Sequence, residues 1–207
     1  MASSRLLLRC REALDAESKT IYDRICEVWG RVGSEAKVSM TNADGSLAGP
    51  WNAAVTATPD IGSTFERAAI ACRHSNSVPL ELLETGILTV AASKKCDFMW
   101  YAHAELSKKT PGIALETIDA IKHLPSTLPP PASDAQRALY AYTRELDATH
   151  RVSDDTHGAA LLSLHNDQRA LADFVFTIGL YSQITFVLNA FPVQLPTGVP
   201  RPFPDEV

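Results

Sequence analysis

From Ala13 to Phe191 the apolar residues recur at intervals of three and four, interrupted by clusters rich in Gly, Pro, Asn, Asp and Ser. That is the period of an amphipathic helix, not the alternation of a half-buried strand. The segment from about Ala13 to Val32 puts Leu14, Ile21, Ile25, Val28 and Trp29 on one helical face, and Gly30 and Gly33 end it. After a turn at Thr41–Ser46 and a break at Pro59–Gly62, helices are expected from Ser63 to Cys72 and from Pro79 to Ala92. Further helices are expected from Lys94 to before Thr110 and from Ala114 to Lys122. Three more are expected: Asp134 to Ala148, a helix capped at Ser153-Asp154-Asp155, and Gln168 to Phe191. Pro129-Pro130-Pro131 makes the preceding connector stiff, a loop inside one domain. The pattern predicts an all-α, single-domain bundle of about seven or eight helices without strands.

A chain of 207 residues is long enough for one well-buried core. Its net charge of −5 leaves no basic footprint for nucleic acid. The apolar run at Leu6-Leu7-Leu8 is too short for a secretory leader. Cys10, Cys26, Cys72 and Cys96 stand singly, with neither zinc-finger spacing nor the density of a disulfide scaffold. They are read as reduced thiols of a cytoplasmic protein. The uncharged stretch between Asp173 and Arg201 is interrupted by Gly179, Gln183, Asn189 and Pro192. It is read as a helix in the core or between subunits, not as a membrane span.

One residue violates the pattern informatively. Glu84 sits among Leu80, Leu83, Ile87 and Leu88 at helical spacings, and a carboxylate in an apolar stripe is costly unless something pairs with it. On the next helix Cys96, Met99 and His103 are expected on one face, being three, four and seven residues apart. His103 is the natural partner. The two would form either a structural pair between packed helices or a proton relay. Cys96 near a helix start is either a thiol of lowered pKa or a small packing residue.

Eleven residues separate Glu84 from Cys96, two separate Cys96 from Met99, and three separate Met99 from His103. This spacing resembles the carboxymuconolactone decarboxylase and alkylhydroperoxidase D-like superfamily. Gly49-Pro50-Trp51, Pro59-Asp60, Arg151-Val152-Ser153-Asp154 and Asn189-Ala190-Phe191 look like its flanking landmarks, in the same order. The resemblance is closest to the single-domain decarboxylase-like branch. It runs over residues 48–191, between an N-terminal helix and turn (1–47) and a Pro-rich tail (192–207) expected to be extended on the surface or on a neighbouring subunit. It implies an all-helical fold that assembles as trimers or hexamers. In the redox branch two cysteines three apart work with a glutamate and a histidine. Here Met99 holds the second cysteine's position, and a thioether cannot form that disulfide.

The resemblance therefore points to cofactor-independent chemistry: a lyase or isomerase moving one proton on a small carboxylated, lactone or enolisable substrate. His103 would transfer the proton and Glu84 would orient the imidazole, or Glu84 would be the acid and His103 the donor. Cys96 joins them as a catalytic candidate lining the pocket with Met99 and Trp100, and His74 would either line it or face solvent. Trp51 would be either its wall or a core anchor. The alternatives are a thiol-dependent peroxidase and a non-catalytic binding protein on the same fold. His150, His157 and His165 lack a metal-ligand spacing, so no metal is expected. The apolar last helix, with Phe174, Phe176, Tyr181, Ile184, Phe186 and Leu188, carries more apolar surface than one face buries, which predicts a homo-oligomer.

Overall fold

The computed structural model describes residues 5–36, 38–191 and 193–204. After a 3₁₀ turn at Arg11–Ala13 come α1 (Ala16–Ala36), α2 (Trp51–Thr56), α3 (Pro59–His74), α4 (Leu80–Ser93) and α5 (Asp97–Ser107). These are followed by α6 (Leu115–Lys122), α7 (Asp134–Thr149), α8 (Asp154–Ser163) and α9 (Gln168–Ala190). Among the described residues there is no strand, only two isolated bridges that tie Cys10 to Ser46 and Thr41 to Leu47.

The axis of the bundle is α4, where every residue from Leu82 to Ala92 is buried. A helix that is apolar all round has to be surrounded, and α5, α6, α7 and α9 surround this one. Helix α9 comes close at Gly86: a Cβ there would lie 2.7 Å from the ring of Phe174 and 3.0 Å from Ile178. A second cluster, built on Ile21, Ile25 and Trp29 of α1 with Trp51 and Val55 of α2, closes the other side. Capping follows ordinary chemistry. Ser133 and Gln136 form a capping box on α7, and Asp167 accepts from the amides of Arg169 and Ala170 at the start of α9.

Several boundaries differ from the sequence expectation. Pro59 does not break the chain; it is the first residue of α3, where its missing N–H is no loss. The six-residue α2 is too short to show a period, and it brings the described helices to nine. Lys95 adopts a left-handed backbone (φ 48°) and Cys96 an extended one, so α5 begins at Asp97 and not near Lys94. The tail lies on its own chain. Arg201 Nε donates to Asp97 Oδ2 at 2.6 Å, the amide of Phe203 donates to Asp97 Oδ1 at 2.9 Å, and the Phe203 ring meets Trp100 edge-on at 5.5 Å. The uncharged helix α9 has the length and composition to cross a membrane, but one face of it, Phe174, Ile178, Tyr181, Ile184 and Leu188, is part of the core.

The Gly86 contact yields a test. Gly86→Val forces side-chain volume against a fully buried ring, an overpacking that costs roughly 1–3 kcal/mol. At roughly 2–4 °C per kcal/mol for a chain of this size, the melting temperature followed by circular dichroism falls; an unchanged value would mean that α4 and α9 do not approach this closely.

Candidate active site

Three helices carry the residues around Glu84, each by its own periodicity. On α3, Gly62, Glu66, Ala69 and Arg73 fall on one face, and the Arg73 side chain is only 7% exposed. On α5, Met99 and His103 are one turn apart and face inward. On α9, Tyr181, Ile184 and Leu188 share the inward stripe. Glu84, fully buried in mid-α4, pairs with side chains of α3 and α5.

Both of its carboxyl oxygens are occupied. Oε1 takes a short hydrogen bond from Arg73 Nη1. Oε2 lies 2.8 Å from His103 Nδ1 and 3.5 Å from Ser107 Oγ, which donates to it. Burial alone would push the Glu84 carboxyl up, but His103 and Arg73 outweigh it and hold the group below its ordinary value. Burial also works against the Arg73 charge, and Glu84 more than restores it. The carboxylate is therefore ionised and accepts only. In a neutral imidazole the proton must then sit on Nδ1, which leaves the lone pair of Nε2 as the ring's basic site. The sequence leaves the protonation of this pair open; His103 and, after it, Arg73 hold the carboxyl down.

The His103 ring forms part of the wall of a cavity of about 100 Å³, together with Trp29, Trp51, Arg73, Met99 and Tyr181. Tyr181 meets His103 edge-on at 4.9 Å, and its burial pushes the phenol far up, so that it remains a neutral donor. Trp51 stacks obliquely on Trp29 at 5.4 Å, and so serves as both wall and anchor. The Nε1 of Trp29 is buried without a hydrogen-bond partner.

Three of the expected pocket residues lie elsewhere. Cys96 is the N-cap of α5, off the helical face that carries Met99 and His103, and it is buried outside the cavity. The left-handed turn at Lys95 is the reason. Burial raises its thiol to about 11, more than the amides of Met99 and Phe98 can offset. Trp100, rotated about 100° from Met99 along the helix, turns to Phe203 instead. His74 is rotated by the same step from Arg73; it is exposed, lies 5.7 Å from the Trp29 ring and is not part of the cavity wall. Arg73, Tyr181 and Trp29 carry site positions that sequence reasoning did not assign. For Arg73 a signal existed: a guanidinium on the inward stripe of α3 is the same kind of violation as Glu84. Among the described residues no three His, Cys, Asp or Glu side chains gather as metal ligands would.

The carboxylate makes a stability prediction. Arg73→Met strands a buried charge, which costs about 3–5 kcal/mol, and the double variant Arg73→Met/Glu84→Gln recovers a large part of it. Because the Glu84 carboxyl is held down in the folded protein, its contribution is present at neutral pH. It is lost as pH falls through the ordinary carboxylate range and below. Urea unfolding of the three proteins at pH 7 and pH 3 checks both points; equal stability of the single and double variants at pH 7 would contradict the ionised assignment.

No family profile matches the chain, and no curated protein matches it significantly. Among solved structures, it is similar to the alkylhydroperoxidase AhpD core, a peroxidase-related protein from Ralstonia eutropha JMP134. The match has 17% identity and a TM-score of 0.69 over 95% of this chain and 94% of that one. At such identity the likeness concerns architecture and not chemistry. In its helical order and core, this chain has the all-α alkylhydroperoxidase D-like fold.

Proposed function

We propose that the cavity at His103 is the site of cofactor-independent proton transfer, as in a lyase or isomerase acting on a carboxylated, lactone or enolisable substrate. The observation that carries this reading is the buried Arg73–Glu84–His103 chain ending at an apolar wall. Glu84 orients the imidazole and stabilises the imidazolium formed when Nε2 takes a proton from the carbon beside a carbonyl. The electron pair of the broken C–H bond moves onto the carbonyl oxygen, and Tyr181 is the neutral donor placed to meet it. Return of the proton to a different carbon completes an isomerisation. For decarboxylation the order changes: the C–C bond breaks, carbon dioxide leaves, and protonated Nε2 supplies the carbon that is left. The apolar wall keeps water from competing for either proton.

The thiol-dependent alternative takes support from the name of the structural neighbour, which belongs to that protein. Within this chain the chemistry opposes it. Cys96 is buried and raised to about 11, its nearest counterpart by spacing is Met99, and all four cysteines are free. The proposal also includes self-association as a trimer or hexamer. Phe176 is 76% exposed, Phe186 65% and Leu162 68%, and Phe176 borders a surface groove of about 660 Å³ between α3, α8 and α9.

Deuterium uptake into an enolisable ketone in D₂O, followed by proton NMR, tests the chemistry. His103→Gln is expected to lower the catalysed rate by about 10²–10⁴-fold, while Cys96→Ser leaves it unchanged. A folded His103→Gln protein with the full rate would refute the assignment, and peroxide consumption lost with Cys96→Ser would establish the thiol reading instead. Light scattering at micromolar concentration is expected to give three or six times the mass of one chain. Phe176→Glu should reduce it, and a wild-type monomer would contradict the association.

A further inference from the structure

The cavity at His103 is too small to hold a substrate of any size. Its volume of about 100 Å³ is below even the roughly 150 Å³ of a dry cavity known to take up benzene. Ligand sites generally offer roughly 300–1,000 Å³. A second chamber of about 550 Å³ adjoins it, between the loop before α2, the outer side of α5 and the end of α9. Val38, Phe98 and Leu188 belong to the walls of both spaces. Phe98 is held against the chain at Gly49, where φ is +63° and a Cβ would come within 2.8 Å of the ring. The two spaces thus lie against a common apolar wall.

Polar satisfaction says what each space receives. Among the described residues, four buried side chains have a polar atom without a hydrogen-bond partner. Two of the four stand in these walls: Trp29 in the inner cavity and Asn52 in the outer chamber. A buried polar group left unpaired is expensive, and a bound molecule is one way to complete it. Trp29 Nε1 can only donate and Asn52 Oδ1 can only accept. Asn52 follows Trp51 on α2, so the inner and outer spaces are addressed by successive residues of one helix.

We propose that the outer chamber is a specificity site for the body of the substrate. The substrate then has a small enolisable carbonyl head beside His103 and an apolar body that passes Phe98. At its far end it has a hydroxyl or N–H that donates to Asn52. The identity of the head group rests on the proton-transfer reading; the size and the distal donor rest on the two chambers alone.

Three ketones separate the claims: 4-(4-hydroxyphenyl)butan-2-one, its methyl ether 4-(4-methoxyphenyl)butan-2-one, and butan-2-one. Calorimetric titration of the unaltered protein is expected to give the hydroxyl compound an affinity about tenfold above the ether, as the loss of one buried hydrogen bond implies, and further above butan-2-one. Asn52→Leu is expected to abolish the preference for the hydroxyl while leaving the melting temperature equal or higher, because it removes an amide oxygen that has no partner in the free protein. Equal affinities for the three ketones, absence of binding, or a hydroxyl preference that survives Asn52→Leu would overturn the proposal. The comparison of ketones stands whatever the variant does to folding. Deuterium uptake by the same ketones reports separately on His103: tight, selective binding without exchange would refute the proton-transfer reading and leave the chamber assignment intact.

Discussion

The structure depends on keeping one carboxylate charged where no water reaches it. Glu84 is completely buried in the most enclosed helix of the bundle, and a lone anion there would take up a proton or unfold the chain. It does neither, because α3 brings a guanidinium to one oxygen and α5 brings an imidazole to the other. Those two contacts fix how α3, α4 and α5 lie against each other. They also make the pair Arg73–Glu84 formally neutral.

That electrostatic arrangement separates two kinds of chemistry available to this fold. A thiol route needs a thiolate and a second sulfur able to form a disulfide. Here Cys96 is enclosed and its proton held more tightly than in water, and the position three residues on is held by Met99. A proton-transfer route needs an oriented base in an apolar hollow, which the Glu84–His103 pair supplies. The chain thus shares a fold with a peroxidase-related protein, and the proton-transfer proposal rests on its own side chains.

Much of this was legible in the sequence where a residue broke a regular pattern. Glu84 stood out because a carboxylate interrupted an apolar stripe, and His103 followed as the nearest basic group at a compatible position on the next helix. The longer helices followed from periodicity with errors at their ends, while the six-residue α2 was too short to show a period. Cys96 was misplaced because one residue, Lys95, turned left-handed and shifted the start of α5, which no propensity of Lys foretells. Arg73 was passed over although it broke the stripe of α3 in the same way. Tyr181 and Trp29 carried no such mark: on an apolar face, an aromatic residue reads as core whether or not its polar tip faces a cavity.

The sequence by itself determined the helical class, the order of the elements and the presence of a charge that had to be paired, because these depend on local period and on the cost of burying an ion. The tertiary structure alone decided which cation meets which oxygen, and that Phe98 stands in the walls of both a narrow inner cavity and a wider outer chamber. These are distances between residues far apart along the chain. Rotations of about 100° from one helical residue to the next place Arg73 inside and His74 outside, and only the packing of one helix on another selects which of the two is which.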